Sequence, residues 1–330
     1  MNTFLFAFNA VAPIVLMIAL GWALKKAGLF TEQFLTVGNR VVFRVLLSVM
    51  TFNNIYKIND LGEIDFGFVG YALAAVTLIC ALAFAVYLPF TKDNAQRGAL
   101  IQSMFRSNFT IIGLPLSMAL FGDAGGSAAS VLSAFIVPLF NVLAVVVLAV
   151  FAPSGSEKKK IDVKKIVIGI VTNPLIIAAA AGMLTLVIRR LLVIGGISFR
   201  LSDVDFIYKP IKDISACATP LALLILGGRF EFSAVRSLAK PIVLGTVMRT
   251  VVTPALALTA SFFLMPNLTG AHYAAYIAAF ASPVAVSSAV MAKEMESDAT
   301  LADQLVVWTS IVSMFTVFAI TVVFREIGIF

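Results

Sequence analysis

Ten stretches of about twenty residues run through this chain with almost no charge in them, and that pattern leaves little choice of solvent. Of 330 residues, 61% are hydrophobic and only 12% are charged, whereas a soluble domain carries about 25% charged residues. Half of the charge needed to cover a globule in water is missing, so lipid takes the place of water around most of the protein. Strands of an outer-membrane barrel alternate apolar and polar over segments of about ten residues. Unbroken apolar runs mean helices instead, because a helix satisfies its own backbone in hydrocarbon.

With about 20 apolar residues per crossing, spans are expected at 4–24, 34–56, 66–90, 98–121, 125–152, 165–188, 211–228, 241–265, 271–292 and 302–324. The seventh is the weakest, a short run between Asp213 and Arg229. Ahead of it, residues 189–212 carry five basic residues with Asp203 and Asp205, which reads as an interfacial stretch. Lys and Arg collect in cytoplasmic connections. With the N-terminus outside, fifteen of them fall in inside connections and seven outside, so both termini are expected outside a multi-pass protein of the cell (inner or plasma) membrane. The first charge is Lys25, after a stretch long enough to span, and no small-residue cleavage site follows. The N-terminus therefore reads as a retained helix, not a signal peptide. The net charge of +7 follows from this topology, and no nucleic-acid partner is expected.

The segment 153–164, PSGSEKKKIDVK, reads as a basic cytoplasmic linker. It separates a first five-helix repeat, 1–152, from a second, 165–330. An odd number of spans per half inverts one half relative to the other. The expected fold is thus all-α, ten transmembrane helices in two inverted repeats, with substrate near the repeat interface.

The fourth and ninth spans, each the fourth of its half, are interrupted. Arg106, Ser107, Asn108, Gly113 and Pro115 lie near the middle of one; Ser282, Pro283, Ser287 and Ser288 lie near the middle of the other. Proline removes a backbone donor and clashes with the preceding turn, so both spans are expected to break at their prolines. Freed backbone groups at that depth must be buried or line a wet cavity. Such paired breaks are the best sequence pointer to a transporter's binding site. Arginine at the bilayer centre costs about 2.5–3.5 kcal/mol, and no carboxylate lies in the core of any span. An anionic substrate is the natural partner of Arg106, together with helix N-termini that favour negative charge. Arg249, nearer the inner end of the eighth span, reads as an interfacial anchor. Asn53, Asn54, Gln102, Asn141 and Asn173 are either interhelical glue or ligand contacts. His272 has no Cys or carboxylate neighbours in the sequence, Cys80 and Cys217 sit apart in apolar runs, and no nucleophile–base pair stands out. Neither a metal site nor an enzyme is expected.

The stretch NFTIIGLPL, Asn108 to Leu116, resembles the Asn-x4-Gly-x-Pro-Leu crossover of the auxin efflux carrier family, which includes plant PIN-type exporters and bacterial malonate or malate permeases. Pro283 through Ala292-Lys293-Glu294 is similar to that family's second crossover, and Pro13 followed by GWALKKAGL to its first helix. The resemblance implies a fold like that of bile-acid/sodium symporters, with helices four and nine crossing in a domain that moves as an elevator. It implies a homodimer and a small mono- or dicarboxylate bound at the crossing. Asn108, Pro115 and Pro283 match by position; Ser107, Ser282, Ser287, Arg106 and Gly113 join them as candidate site residues. The long soluble loop of the plant exporters is absent, which favours the bacterial type of permease.

No cofactor is expected. Proton relays in membranes use Asp, Glu or His, so proton coupling is disfavoured. An inside-negative potential drives anions outward by about 2.3 kcal/mol per charge per 100 mV, which favours efflux or exchange. A symporter using Na+ as coupling ion stays open, as do an anion channel and a membrane sensor that does not transport.

Overall fold

A backbone N–H or C=O in lipid has no water to bond, so a crossing segment must close its own hydrogen bonds. The computed structural model describes residues 3–57, 65–152, 167–168 and 171–329, and it is helical throughout, with no β-strand among them. Among the described residues seven helices are long and apolar enough to cross a membrane: Glu32–Tyr56, Phe66–Phe90, Phe109–Val150, Pro174–Ile194, Asp205–Arg229, Ala239–Leu264 and Ala299–Glu326. The basic linker expected at 153–164 lies outside the described residues.

In chain order the helices are α1 (Thr3–Lys26), α2 (Glu32–Tyr56), α3 (Phe66–Phe90) and α4 (Asn94–Phe105). After a gap at 106–108 the chain resumes in a π turn, Phe109–Gly113, and runs on as Leu114–Val150. That last stretch is two rods, because Phe121 (φ −142°, ψ 28°) and Gly122 (φ 59°, ψ −151°) leave helical geometry. Gly122 takes a positive φ that side chains avoid, and the chain turns there from α5 (109–120) into α6 (123–150). The remainder is α7 (Pro174–Ile194), α8 (Asp205–Arg229), α9 (Ala239–Leu264), α10 (Gly270–Ala281), α11 (Val286–Glu294) and α12 (Ala299–Glu326).

Side-chain oxygens start several of these helices by accepting first-turn amides, as N-caps do. Thr31 caps α2, Asp65 α3, Asp93 α4, Asn173 α7 and Asp298 α12. The seventh span is longer than expected. The stretch 189–212 is mostly helix: Arg189 and Arg190 lie in the last turns of α7, and Lys209, Lys212 and Asp213 in α8, which begins at Asp205. Long basic side chains at helix ends reach the interface on their own stems, so charge there does not interrupt the helix. One expectation needs correction: the fourth span breaks elsewhere than at its proline. Pro115 sits inside the helix, and the preceding turn widens to π geometry, with Leu114 N–H bonded to Phe109 O. That wider turn absorbs the missing donor.

The helices associate in two groups. α1 packs along α8, and α2 against α7 and α8. In the other group α3 packs against α4, α10 along Leu114–Val150, α9 against α10 and α12, and α11 against α12. α1 meets α12 and α8 meets α11 across the boundary. Helices in lipid approach closely where residues are small, and α1 and α8 do so backbone to backbone. A Cβ added at Gly227 would stand 2.0 Å from Ile18 O, and one at Gly21 2.1 Å from Leu224 O. Gly227→Ala is therefore expected to destabilise the protein by about 1–3 kcal/mol through overpacking. Thermal unfolding in detergent reads this out; an unchanged midpoint would refute the contact.

Candidate functional site

Two helix breaks meet at the centre of the second group. α4 ends at Phe105 and α10 at Ala281; after short extended segments, α5 and α11 begin. The extended segments pair as a single antiparallel bridge, Ser107 with Val284. Asn108 N–H donates to Pro283 O at 2.8 Å, and Ala285 N–H donates to Arg106 O at 3.2 Å. Val284 N–H donates to Thr309 Oγ1 of α12 at 3.0 Å. Each break thus satisfies amides that lipid would leave stranded. Gly113 permits the close approach: a Cβ there would lie 2.8 Å from Ala278 O and 3.2 Å from Ser282 Oγ.

The four half-helices arrive with their ends sorted. α4 and α10 bring carbonyl ends, and α5 and α11 bring amide ends. The amide ends face a cavity of about 60 Å³ between the two helix groups. It is lined by Arg106, Ser107, Asn108 and Thr110 at the first break, Ala285 and Ser287 at the second, Thr51 and Asn54 of α2, and Asn141 of α6. Phe140, Leu175 and Ala222 supply apolar wall. Asn108 Nδ2 and Ser107 Oγ are buried without a hydrogen-bond partner, an arrangement that costs about 1–3 kcal/mol per group unless something binds there. Arg106 is 3% exposed; it donates to Asn141 Oδ1 at 2.8 Å and lies 3.0 Å from Met291 Sδ. It neither snorkels nor meets a carboxylate. The larger hollows differ in kind. One of 560 Å³ between α9 and α12 is almost wholly apolar, and one of 810 Å³ at the ends of α1, α8 and α12 is lined by charges of both signs.

Of the residues singled out by sequence, Arg106, Ser107, Asn108 and Ser287 line the cavity. Pro283 and Ser282 lie in the second break, where their carbonyls accept hydrogen bonds. Gly113 is a packing contact, and Pro115 lies one turn into α5. The amides divide by role. Asn54 and Asn141 line the cavity. Gln102 donates to Ser288 O at 3.1 Å, Asn53 accepts from Tyr208 at 3.1 Å, and Asn173 caps α7. His272 forms a capping box with Thr269 and lies tilted against the Phe68 ring. No cluster of three or more His, Cys, Asp or Glu able to hold a metal occurs among the described residues. Cys80 is buried and Cys217 is exposed.

Arg249 is not an interfacial anchor. It projects from a π turn of α9, Met248–Val252, and is 0% exposed. Its guanidinium donates to Ser282 O (3.0 and 2.7 Å), Ala279 O (3.2 Å) and Met104 O (3.0 Å). Those carbonyls belong to both carbonyl ends of the crossing. At one end of the group boundary a second polar network forms. Arg229 of α8 pairs with buried Asp303 of α12 at 3.1 Å and donates to Asn39 Oδ1 of α2 at 2.9 Å. Asn39 Nδ2 in turn donates to Glu294 Oε1 of α11 at 3.0 Å and to Val290 O at 3.3 Å. Asp303 falls one residue inside the expected tenth span, where sequence reading found no carboxylate in the core.

The model of a family described as membrane transport protein matches residues 6–321. An uncharacterized transporter of Methanothermobacter thermautotrophicus is 21% identical over 324 residues, which cover 94% of this chain and 96% of that one. Helices built for lipid, paired breaks at their centre and a family match along almost the whole length agree: the chain belongs to the membrane transport proteins of the auxin efflux carrier family and is a multi-pass membrane transporter.

Proposed function

We propose that the protein carries small mono- or dicarboxylates across the cell membrane by alternating access, as efflux or exchange, with the cavity at the crossing as its substrate site. The observation that carries this reading is the unpartnered buried donor set of Asn108 and Ser107 beside Arg106. Each half-helix N-terminus contributes up to about half a positive charge; two of them with one guanidinium sum to about +2, suited to a mono- or dianion. In this reading Asn108, Ser107, Ser287 and Arg106 touch substrate, while Gly113, Pro115, Ser282 and Pro283 shape the crossing. A cavity of about 60 Å³ takes a few water molecules, so a carboxylate enters when the two helix groups part.

Ten membrane spans in two inverted repeats fit these elements. Each half then holds three continuous helices, one broken one and one last continuous one. The elevator follows if α1, α2, α7 and α8 are the scaffold and the group that owns the crossing moves. Both termini lie outside, and the protein forms a homodimer through the scaffold. A sodium-coupled symporter is the alternative within this reading, and a channel or sensor the alternative outside it.

Two measurements test the proposal. In liposomes with purified protein, labelled malonate and malate should show saturable counterflow. A hydrogen bond to a charged group is worth about 1.5–3 kcal/mol, so Asn108→Ala should weaken apparent affinity about 10–100-fold while the melting temperature holds. Intact protein with neither flux nor stabilisation by any carboxylate refutes the assignment.

The elevator has its own test. Asn39→Cys and Glu294→Cys, placed in a background of Cys80→Ser and Cys217→Ser, can be joined across the group boundary by a short reducible thiol cross-linker that spans the Asn39–Glu294 contact. Flux should stop on cross-linking and return on reduction. Undiminished flux in the fully cross-linked protein excludes sliding at this boundary.

A further inference from the structure

All four hydrogen bonds of Arg249 end on main-chain carbonyls: Met104 O of α4, and Ala279 O and Ser282 O at the end of α10. Carbonyl ends of half-helices are where membrane transporters coordinate a coupling cation, through oxygens freed by the break. Two helix C-termini together carry about one negative charge, and one guanidinium matches it. The remaining oxygens nearby suit a hard cation. Thr253 Oγ1 also reaches Met104 O, at 3.2 Å, and Ser282 Oγ is fully buried with no partner. The whole set lies within the helix group that holds the crossing, so it stays assembled if that group moves.

We propose that Arg249 is a tethered cation: it permanently fills the cation position at the carbonyl ends of the crossing, so that anion transport needs no Na+ there. The proposal rests on the transporter reading above and assigns a positioning residue, since Arg249 touches the crossing rather than the substrate. Steric exclusion and like charge both keep a mobile cation out while the guanidinium is in place. Removing the side chain exposes the oxygens and turns an occupied site into an empty one. With the carbonyl ends neutralised, the amide ends of α5 and α11 set the sign of the cavity.

The test uses the full-length protein in liposomes, comparing wild type, R249K and R249A. Malonate counterflow is measured in sodium chloride and in N-methylglucamine chloride, with and without millimolar guanidinium chloride. Wild type and R249K should transport equally in both salts. R249A should lose roughly a hundredfold in N-methylglucamine, the scale of a misplaced site, and recover with Na+ or guanidinium. Melting temperatures should follow the same pattern, with guanidinium or Na+ stabilising R249A and not wild type. R249Q, closer in volume, takes the same comparison if R249A does not survive purification.

Wild-type flux that requires Na+ overturns the proposal. So does neutral-variant flux equal to wild type in N-methylglucamine, and so does a folded neutral variant that neither Na+ nor guanidinium rescues. If wild type carries no carboxylate at all, the substrate reading fails. The melting series then decides separately: stabilisation of the neutral variant by guanidinium supports the tethered cation, and none refutes it.

Discussion

The centre of this membrane protein depends on an exchange of backbone hydrogen bonds between two broken helices. A helix that stops in hydrocarbon strands amides and carbonyls at several kcal/mol each. Here Asn108 N–H reaches Pro283 O and Ala285 N–H reaches Arg106 O, so neither break is tolerable without the other. That mutual need explains Gly113, whose missing side chain lets the π turn lie against α10. It also explains why Thr309 of α12 offers its hydroxyl to Val284 N–H.

Sorting of the helix ends follows from the same exchange. Crossing two breaks brings two carbonyl ends and two amide ends to one place, four partial charges that a continuous helix would have sent to opposite faces of the membrane. Arg249 meets the carbonyl ends; the cavity with Arg106, Ser107 and Asn108 receives the amide ends. The two arginines therefore do different work despite similar burial. One spends four of its five N–H donors on main-chain oxygens, and the other spends its bonds on Asn141 and Met291 beside unpartnered groups.

Sequence made the membrane class, most helix positions and the two interrupted helices legible, because polar residues and proline at mid-span have few places to go. It misread how the first interruption forms. Pro115 drew attention, yet the chain breaks at 106–108, where extended residues can pair with the second break, and a π turn accommodates the proline. Sequence singles out Arg249 but reads it as an anchor, although depth arithmetic places it deeper. At 1.5 Å per residue, ten residues from Ala239 puts it about 15 Å along the helix, half the hydrocarbon thickness and too deep for an anchor. The Arg229–Asp303 pair and the Asn39 bridge were not legible, since they depend on which helix ends meet across the group boundary.

If the site moves as proposed, that boundary is where movement is least costly. Among the described residues, the backbone exchange at the crossing, the Thr309 contact, the Arg249 cluster and the Arg106–Asn141 bond all lie inside one helix group. Their donors and acceptors come from the two breaks and from α4, α6, α9, α10 and α12. Displacing that group past α2, α7 and α8 leaves the backbone exchange and the Arg249 cluster intact. What must change is the packing along the boundary, where apolar side chains trade one apolar neighbour for another, and the network of Asn39, Arg229, Asp303 and Glu294. Hydrogen bonds of this kind each contribute only about 1 kcal/mol net, but a buried ion pair resists loss of one partner more strongly. A structure with its irreplaceable bonds inside one body and its exchangeable ones at the edge can move its site without unfolding it. For a transporter whose broken helices would be ruinous in lipid, that division makes motion compatible with stability.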